Sequence, residues 1–278
     1  MKKTKTIAIA GASGFVGQAL QKSLANVIVL NRDDSVEILV EKLKDVDVVI
    51  NLAGAPIVKR WNEAYKKVLY SSRIESTQKI VSAIDKSDVS YFISTSAIGI
   101  YPNDKTCDES CTTYADDFLA KLCEDWENEA LKCTKPTAVL RLGVVLGKEG
   151  GALAKMLLPF KLGLGGNIGD GKMMTSWIAV DDLMRIYLFL IEQKEEGVFN
   201  AVSPNPVDNA NFTKALGKVL HRPTFMPLPT QVLNFIYGEA SCILTDFKEV
   251  YPKYLIDKGF KFKYPVLESA FECLDSKE

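Results

Sequence analysis

The chain has 278 residues and carries 34 Lys and Arg against 35 Asp and Glu, a formal net charge of −1 at pH 7. Its 47% hydrophobic and 25% charged residues are ordinary for a globular protein with a substantial core. Since the charge is balanced and no long basic run occurs, the composition argues against nucleic acid and anionic membranes as partners.

The N-terminus begins with lysines, as a secretory signal does, but the apolar run behind them is short. It covers only Ile7–Ala10 before a glycine-rich turn begins, which is too little for the hydrophobic segment of a signal peptide. No uncharged apolar run reaches membrane-spanning length. The sequence therefore predicts a cytoplasmic protein.

Six cysteines are scattered without a Cys-x-x-Cys pair, and His221 is the single histidine. Zinc sites need several Cys or His ligands at short spacing, so we expect reduced thiols and no metal site. A Ser-His-Asp or Cys-His nucleophile would depend on His221 alone. This histidine stands in Leu-His-Arg-Pro and is predicted to lie in a surface turn.

The most informative motif follows a predicted apolar strand over 6–10, where three glycines are spaced Gly-x-x-Gly-x-x-Gly. Gly11 permits the tight turn, Gly14 lets backbone N–H groups approach a pyrophosphate, and Gly17 lets the next helix pack closely. The motif lies between a strand and a helix predicted over 14–25. This context predicts a dinucleotide site rather than an ordinary turn.

Apolar runs and amphipathic segments then alternate, a pattern typical of a parallel sheet covered by helices on both faces. Further strands are predicted over 27–31, 46–52, 90–95, 138–146 and 197–202, and further helices over 35–44, 62–84, 115–132 and from 182 to 191. The predicted fold is α/β, a Rossmann-type doubly wound parallel sheet over 1–202. The tail 203–278, with helices over 208–220 and 229–240, is predicted to form a smaller C-terminal substrate lobe to which 148–176 contributes.

The end of the second predicted strand bears on the choice of cofactor. NAD sites usually place an Asp or Glu there, on the ribose hydroxyls, but this chain has Asn31 and Arg32. An arginine pairs bidentately with a phosphate and stacks on adenine, so the pattern favours NADP. The alternative is that Arg32 is a solvated loop charge, since Asp33 and Asp34 follow.

Later segments match one family pattern together. The chain resembles the extended short-chain dehydrogenase/reductases of the epimerase and dehydratase branch, and more narrowly the atypical "epimerase family protein" group. The segments that carry the resemblance are 51–56, Arg60-Trp61-Asn62, 72–77, 94–97, 117–119, Trp126-Glu127, 141–147, 150–156, 162–166, 177–182, 200–204 and 259–265. They run in one order through almost the whole chain.

The resemblance implies a cofactor site at matching positions. The implied contacts to the pyrophosphate are Gly11, Ser13, Gly14, Phe15, Val16 and Gly17. Asn31 and Arg32 are implied to face the adenosine 2′ position, and Leu52, Ala53 and Gly54 to line the adenine and ribose. Thr95 is implied to belong to the same site. Arg73 stands where many relatives carry an asparagine. It is predicted to reach the cofactor, or else to pair on the helix surface with Glu75.

The superfamily's chemistry normally uses a Tyr-x-x-x-Lys pair on the helix after the serine strand, where the lysine lowers the pKa of the phenol. The corresponding helix here contains no tyrosine. The phenol's place falls to Asp117 or Phe118, and that of the lysine to Lys121 or Leu122. Formal matches at Tyr101/Lys105 and Tyr254/Lys258 are interpreted as coincidences.

Three candidates remain for the catalytic site: Ser96 to bind a substrate oxygen, and Tyr101 or Asp117 to exchange a proton. The resemblance implies an NADP-dependent oxidoreductase or epimerase acting on a small polar, sugar-like substrate. Because the Tyr-x-x-x-Lys pair is missing, a second hypothesis stays open: a regulatory protein that binds a dinucleotide and has lost catalysis. A third hypothesis, that the cofactor only stabilises the fold, is disfavoured by the intact glycine loop. Relatives imply a homodimer through the helices around 62–84 and 115–132.

Overall fold

The computed structural model describes residues 5–275, and of 273–275 only the backbone. Its strands are β1 (Ile7–Ala10), β2 (Val27–Leu30), β3 (Val48–Asn51), β4 (Tyr91–Ala97), β5 (Thr106–Cys107), β6 (Thr137–Leu142), β7 (Val144–Gly147), β8 (Met174–Thr175), β9 (Trp177–Ala179), β10 (Gly197–Ala201), β11 (Val207–Asp208) and β12 (Glu249–Val250). Its α-helices are α1 (Phe15–Ser23), α2 (Val36–Lys42), α3 (Glu63–Ser71), α4 (Ile74–Ile84), α5 (Phe118–Ala130), α6 (Gly151–Lys161), α7 (Val180–Gln193), α8 (Asn209–Val219), α9 (Thr230–Tyr237), α10 (Cys242–Thr245), α11 (Lys253–Asp257) and α12 (Leu267–Asp275).

Six parallel strands form the central sheet in the order β2-β1-β3-β4-β6-β10. Ile7 pairs with Val27 on one side and with Val48 on the other. The direction of winding therefore reverses between β1 and β3, which opens a crevice outside the carboxyl ends of these strands. The predicted doubly wound α/β fold is confirmed.

Helices cover both faces because successive strand side chains point to opposite sides. Ile7 and Ile9 enter a cluster with α1 and α7, whereas Ala8 and Ala10 enter a second cluster with α2, α4 and α5. Both sides of β1 are thus buried, as the uninterrupted apolar run predicts.

Two predicted elements are each divided in the structure. The helix predicted over 62–84 consists of α3 and α4, because the hydroxyl of Ser72 accepts a hydrogen bond from the Ala55 amide (2.9 Å) and donates one to Leu69 O (3.1 Å). The strand predicted over 138–146 is divided at Gly143, where a Cβ would lie 2.6 Å from Ser176 O. Beyond this glycine, β7 leaves the sheet to pair with β9.

The C-terminal residues pack in two places. Phe212 of α8 and Phe271 of α12 meet edge to face at 5.3 Å, in a cluster that includes Leu153 of α6. Leu255 and Phe260 instead join the core cluster beneath the central sheet. The predicted helix over 229–240 is α9, which ends at Tyr237 before a 3-10 turn (Gly238–Ser241) and α10. The division at residue 202 stays a prediction.

None of the helices over the described residues is long and apolar enough to cross a membrane. His221 is exposed, with φ of 51°, in the turn that follows α8, as its sequence context predicts.

Candidate functional site

The glycine loop lies at the carboxyl end of β1. Gly11 has φ of +79°, and a Cβ there would lie 2.6 Å from Leu52 O. A Cβ on Gly17 would lie 2.4 Å from the oxygen of Gly11. Around Gly14, in contrast, a Cβ would meet only Gly11 O, at 3.3 Å. The outer two glycines are thus required by the chain itself, and the middle one borders open space that a ligand can enter.

Helix α1 begins directly behind this loop, and its N-terminus carries no cap. Gly14 holds the N-cap position without a side-chain hydrogen bond, and the first turn contains no acidic residue. The first N–H groups of a helix need acceptors, and the helix dipole favours an anion there. The uncapped turn beside the open space at Gly14 therefore fits a pyrophosphate.

Phe15, predicted to contact the cofactor, points its ring elsewhere. A Cβ on Gly147 would lie 2.5 Å from the ring, and one on Gly150 would lie 2.6 Å from it. The ring thus fixes the start of α1 against the turn between β7 and α6. Only the backbone of Phe15 remains for a ligand. Val16, its predicted neighbour at the pyrophosphate, packs its side chain against the core cluster under α1 and α7.

A cavity of about 390 Å³ lies next to the glycine loop, at the carboxyl ends of β1, β2 and β3. Predicted site residues that line it are Gly11, Ser13, Asn31, Arg32, Ala53 and Gly54. Helix α4 closes the cavity with Ser76 and Lys79, which the sequence reasoning missed. No local pattern identifies them, because their place depends on how α4 crosses β3.

Charged side chains of both signs line the end of this cavity beside β2. The carboxylate of Asp34 accepts hydrogen bonds from the Asn31 amide (2.7 Å) and from Lys42 Nζ (2.6 Å), which hold the pKa of Asp34 low although its burial opposes this. Lys79 Nζ donates to Arg32 O at 3.0 Å. The Arg32 side chain is exposed and has no polar partner among the described residues. Arg32 and Lys79 thus bring two cations from different elements to one corner.

Arg73 lies beneath the turn that follows β3, not on the helix surface. Its guanidinium donates to Leu69 O (3.2 Å) and Ala55 O (3.1 Å) and lies 5.3 Å from the Trp126 ring. A Cβ on Gly54 would come within 3.0 Å of it. Burial lowers the pKa of Arg73. The alternative, a surface pairing with Glu75, does not form, and the guanidinium instead lies against the Gly54 backbone at the cavity. The contact of Arg73 with the cofactor stays a prediction.

The Ser96 side chain belongs to a buried network of hydrogen-bonded polar groups. Its hydroxyl donates to Glu127 Oε1 at 2.6 Å, and Glu127 also accepts two hydrogen bonds from Arg141, at 2.8 and 2.7 Å. Although burial opposes it, the Glu127 carboxylate raises the pKa of Arg141. The neighbouring Thr95, a predicted cofactor residue, is buried against Tyr187, with the two hydroxyl oxygens 3.1 Å apart.

Tyr101 belongs to the same network, whereas Asp117 does not. The buried Tyr101 hydroxyl accepts from Arg141 Nη1 (2.7 Å) and donates to Asn200 Oδ1 (3.0 Å). Burial raises the pKa of Tyr101 far above its ordinary value, so the phenol keeps its proton. Asp117 is exposed and caps α5 by accepting from the Ala120 amide at 2.8 Å. The structure thus links Ser96 to Tyr101 through Glu127 and Arg141.

The face of α5 that meets the end of β4 carries Leu119 and Cys123. Leu119 lies against Gly99, and the Cys123 thiol lies beside Ser96 and Ala97. Residues four apart share a helix face, so a Tyr-x-x-x-Lys pair next to Ser96 would occupy these two positions. Burial raises the pKa of Cys123 to about 12. This face therefore supplies neither a phenol nor an ammonium group.

The residues predicted to stand in those places lie elsewhere. Phe118 stacks edge to face on Trp61 at 5.3 Å, and Lys121 pairs with Asp125 at 3.6 Å on the outer side of α5. The described contacts do not bring these two side chains to Ser96, and the register of the missing pair stays a prediction. The absence of the pair itself is unaffected.

A lysine from the C-terminal part approaches the same edge of the sheet. Lys248 Nζ donates to Tyr101 O, and its backbone amide bonds to Met174 O at 3.0 Å. Burial lowers the pKa of Lys248, against the influence of the nearby Asp246 and Asp117 carboxylates. Sequence reasoning missed Lys248 because only the fold brings it to the end of β4.

The sequence profile of the NAD dependent epimerase/dehydratase family matches residues 7–202. The chain belongs to this family. A second profile, a domain of unknown function (DUF1731), matches residues 228–274 of this epimerase family chain. The predicted family resemblance is confirmed.

Several relatives match this epimerase family chain over nearly its full length. The epimerase family protein SDR39U1 homolog, chloroplastic, of Arabidopsis thaliana is 35% identical and aligns over 97% of this chain and 86% of its own. The epimerase family protein YfhF of Bacillus subtilis is 36% identical, and the alignment covers 96% of this chain and 97% of YfhF. The crystal structure of human epimerase family protein SDR39U1 with NADPH is 32% identical in sequence and superposes with a TM-score of 0.90. The match covers 97% of this chain and 99% of the human chain.

Proposed function

We propose that this protein is an NADP-dependent oxidoreductase or epimerase that acts on a small polar, sugar-like substrate. The observation that carries the proposal is the pair of cations, Arg32 and Lys79, beside the glycine loop at the end of β2. The human relative crystallised with NADPH supports the same cofactor.

The residues of the cavity fit the two charged parts of this dinucleotide. The uncapped N–H groups behind Gly14 bind the pyrophosphate. Arg32 and Lys79 bind the 2′-phosphate through charge-assisted hydrogen bonds. The carboxylate of Asp34 is occupied by Lys42 and the Asn31 amide, so it does not repel the phosphate as a free acid would. When bound, the cofactor would supply hydride transfer at its nicotinamide ring, with NADPH as the donor and NADP⁺ as the acceptor.

On the substrate side, we propose that Lys248 binds and orients the reacting oxygen. Its ammonium makes one hydrogen bond, to Tyr101 O, and so has further donors to offer. Ser96 and Tyr101 already donate to Glu127 and Asn200. We therefore assign them a positioning role at the end of β4 and leave the substrate-facing hydrogen bond to Lys248.

The test is a search for turnover, followed through the absorbance of the reduced nicotinamide. Purified protein is incubated with NADPH and a panel of sugar nucleotides and small carbonyl compounds. For any substrate found, Lys248→Met is expected to lower turnover by about a hundredfold or more, the scale of a lost polar group at the reacting oxygen. The matched control is Lys253→Met, an exposed lysine on α11.

The pH dependence separates binding by Lys248 from a general loss of structure. Because burial lowers the pKa of Lys248, its ammonium loses its proton below the usual range for lysine, and turnover is expected to fall as the pH rises through that value. Lys248→Arg keeps its charge and should remove this fall. A wild-type fall that persists in Lys248→Arg would contradict the assignment.

A second function has one specific observation in its favour. Leu119 and Cys123 occupy the helix face where an acid–base pair would lie, as expected of a dinucleotide-binding regulator that has lost catalysis. Tight NADPH binding without turnover of any substrate in the panel would support this alternative.

We keep two further proposals, a cytoplasmic location and a homodimer through the outer sides of α3, α4 and α5. Fractionation of cells tests the first, and light scattering of the purified protein tests the second. A monomer at micromolar concentration would contradict the dimer.

A further inference from the structure

Cys107 and Cys111 lie next to each other, at the end of β5 and in the turn that follows it. The Cys107 thiol points to the Cys111 sulfur, and the two Sγ atoms are 2.8 Å apart. Non-bonded carbon atoms prefer about 3.5–4.0 Å, and a disulfide bond measures about 2.05 Å. The pair is therefore closer than ordinary packing requires, although both thiols are free.

A tight turn produces this proximity. The Cys111 amide donates to Asp108 O at 3.1 Å, and the Asp108 carboxylate accepts from the Ser110 amide at 2.7 Å. The first cysteine is fixed by β5, which pairs with β12 and bonds through Cys107 O to the Tyr251 amide (2.9 Å). Among the cysteines with described side chains, no other has a second sulfur as a partner.

The two thiols differ in access. Cys107 is 3% exposed, and burial together with its hydrogen bond to Cys111 raises its pKa to about 12. Cys111 is partly exposed, and its thiol also donates to Thr113 O at 3.5 Å. A soluble reagent therefore meets Cys111 first, and Cys107 stands directly behind it.

We propose that Cys107 and Cys111 form a reversible dithiol–disulfide site that reacts with small disulfides such as glutathione disulfide. The Cys111 thiolate attacks one sulfur of glutathione disulfide, forms a mixed disulfide and releases one glutathione thiolate. Cys107 then loses its proton to solvent and attacks Cys111 Sγ, which forms the protein disulfide and releases the second glutathione thiolate. Two protein thiols are oxidised, and one glutathione disulfide is reduced to two glutathione molecules.

The site is connected to the network at the end of β4. Between the two cysteines lies Glu109, whose carboxylate accepts from the Asn200 amide (2.8 Å) and the Tyr254 amide (3.2 Å). Asn200 in turn accepts from the Tyr101 hydroxyl. A covalent bond across this turn therefore forms beside the residues that position the substrate side.

The test equilibrates the folded protein with glutathione buffers of increasing oxidised fraction, followed by acid quenching, thiol counting and peptide mapping. In the peptide map, the wild type is expected to show a 107–111 cross-link that is two hydrogen atoms lighter than the reduced peptide and that dithiothreitol removes. Cys107→Ser should stop at one glutathione on Cys111, and Cys111→Ser should leave Cys107 unmodified.

Cys242→Ser is the matched control, because Cys242 is also partly exposed but has no sulfur neighbour, and it should form the cross-link as the wild type does. Circular dichroism confirms that each variant is folded before oxidation. The proposal is overturned if the folded wild type keeps both thiols in the most oxidising buffer, or if it retains glutathione on Cys111 without forming the cross-link.

Discussion

At the scale of single residues, we propose that Arg32 and Lys79, which both line the cavity, set its preference between the two cofactors. Both side chains line the cavity, Arg32 just after β2 and Lys79 on α4, and the carboxylate of Asp34 beside them is paired with Lys42. In this proposal, a 2′-phosphate would accept charge-assisted hydrogen bonds from both side chains, whereas an unphosphorylated ribose hydroxyl would gain little from their charges.

We expect Lys79→Met to weaken NADPH binding by about 10- to 100-fold and to leave NADH binding unchanged. Hydrogen bonds to charged groups contribute about 1.5–3 kcal/mol each, and about 1.4 kcal/mol is tenfold in affinity. Fluorescence titration measures both constants. Lys86→Met, an exposed lysine just beyond α4, is the control. Equal losses for both cofactors would place Lys79 outside the phosphate site.

A second prediction at this scale concerns the buried ion pair. Glu127→Gln leaves the Arg141 guanidinium, 2% exposed, without its carboxylate, and should lower the free energy of unfolding by about 3–5 kcal/mol. Ser96→Ala removes one donor and should cost about 1–2 kcal/mol. Urea unfolding compares them. Similar losses for the two variants would contradict this prediction.

At the scale of elements, we expect two glycines of the loop between β1 and α1 to be required for different reasons, one for packing and one for ligand binding. Gly17→Ala places a Cβ 2.4 Å from Gly11 O and should destabilise the protein by several kcal/mol, because backbone atoms on both sides must shift. Gly14→Ala meets nothing closer than 3.3 Å and should fold, yet lose NADPH affinity by about tenfold or more as its methyl enters the ligand space. Thermal melts and titrations distinguish them. A Gly14→Ala protein with full affinity would contradict the pyrophosphate placement.

Elements defined by local pattern were predictable from the sequence, and those decided by distant contacts were not. The apolar run of β1, the glycine spacing and the Asn31-Arg32 pair each carry their signal within a few residues. The break at Ser72 depends on Ala55, and the break at Gly143 depends on Ser176. Similarly, amphipathicity predicts α5 but cannot show that Leu119 and Cys123 face the serine strand.

At the scale of the whole molecule, the C-terminal part belongs to the same core as the sheet. Leu255 and Phe260 lie in the cluster that contains Ile9, and Lys248 contacts Tyr101, four residues beyond the end of β4. Composition alone showed a proline- and aromatic-rich tail. It could not show that this tail joins the core beneath the sheet and brings Lys248 to Tyr101.

This packing predicts one cooperative unfolding transition for the chain, shifted to higher temperature by NADPH because ligands that bind only the folded state stabilise it. Differential scanning calorimetry with and without the cofactor measures this. Two separated transitions, only one of them sensitive to NADPH, would instead indicate that the parts before and after residue 202 unfold independently.

The central claim is that the cavity beside Gly14 recognises NADP through its 2′-phosphate, and the most direct test is the ratio of dissociation constants for NADPH and NADH. The account predicts that the wild type binds NADPH at least about tenfold more tightly, since even one charge-assisted hydrogen bond has this effect. It also predicts that Arg32→Asp reverses the preference, because a carboxylate repels the phosphate and accepts from the ribose hydroxyls. Equal affinities in the wild type, or a preference that Arg32→Asp leaves unchanged, would contradict it.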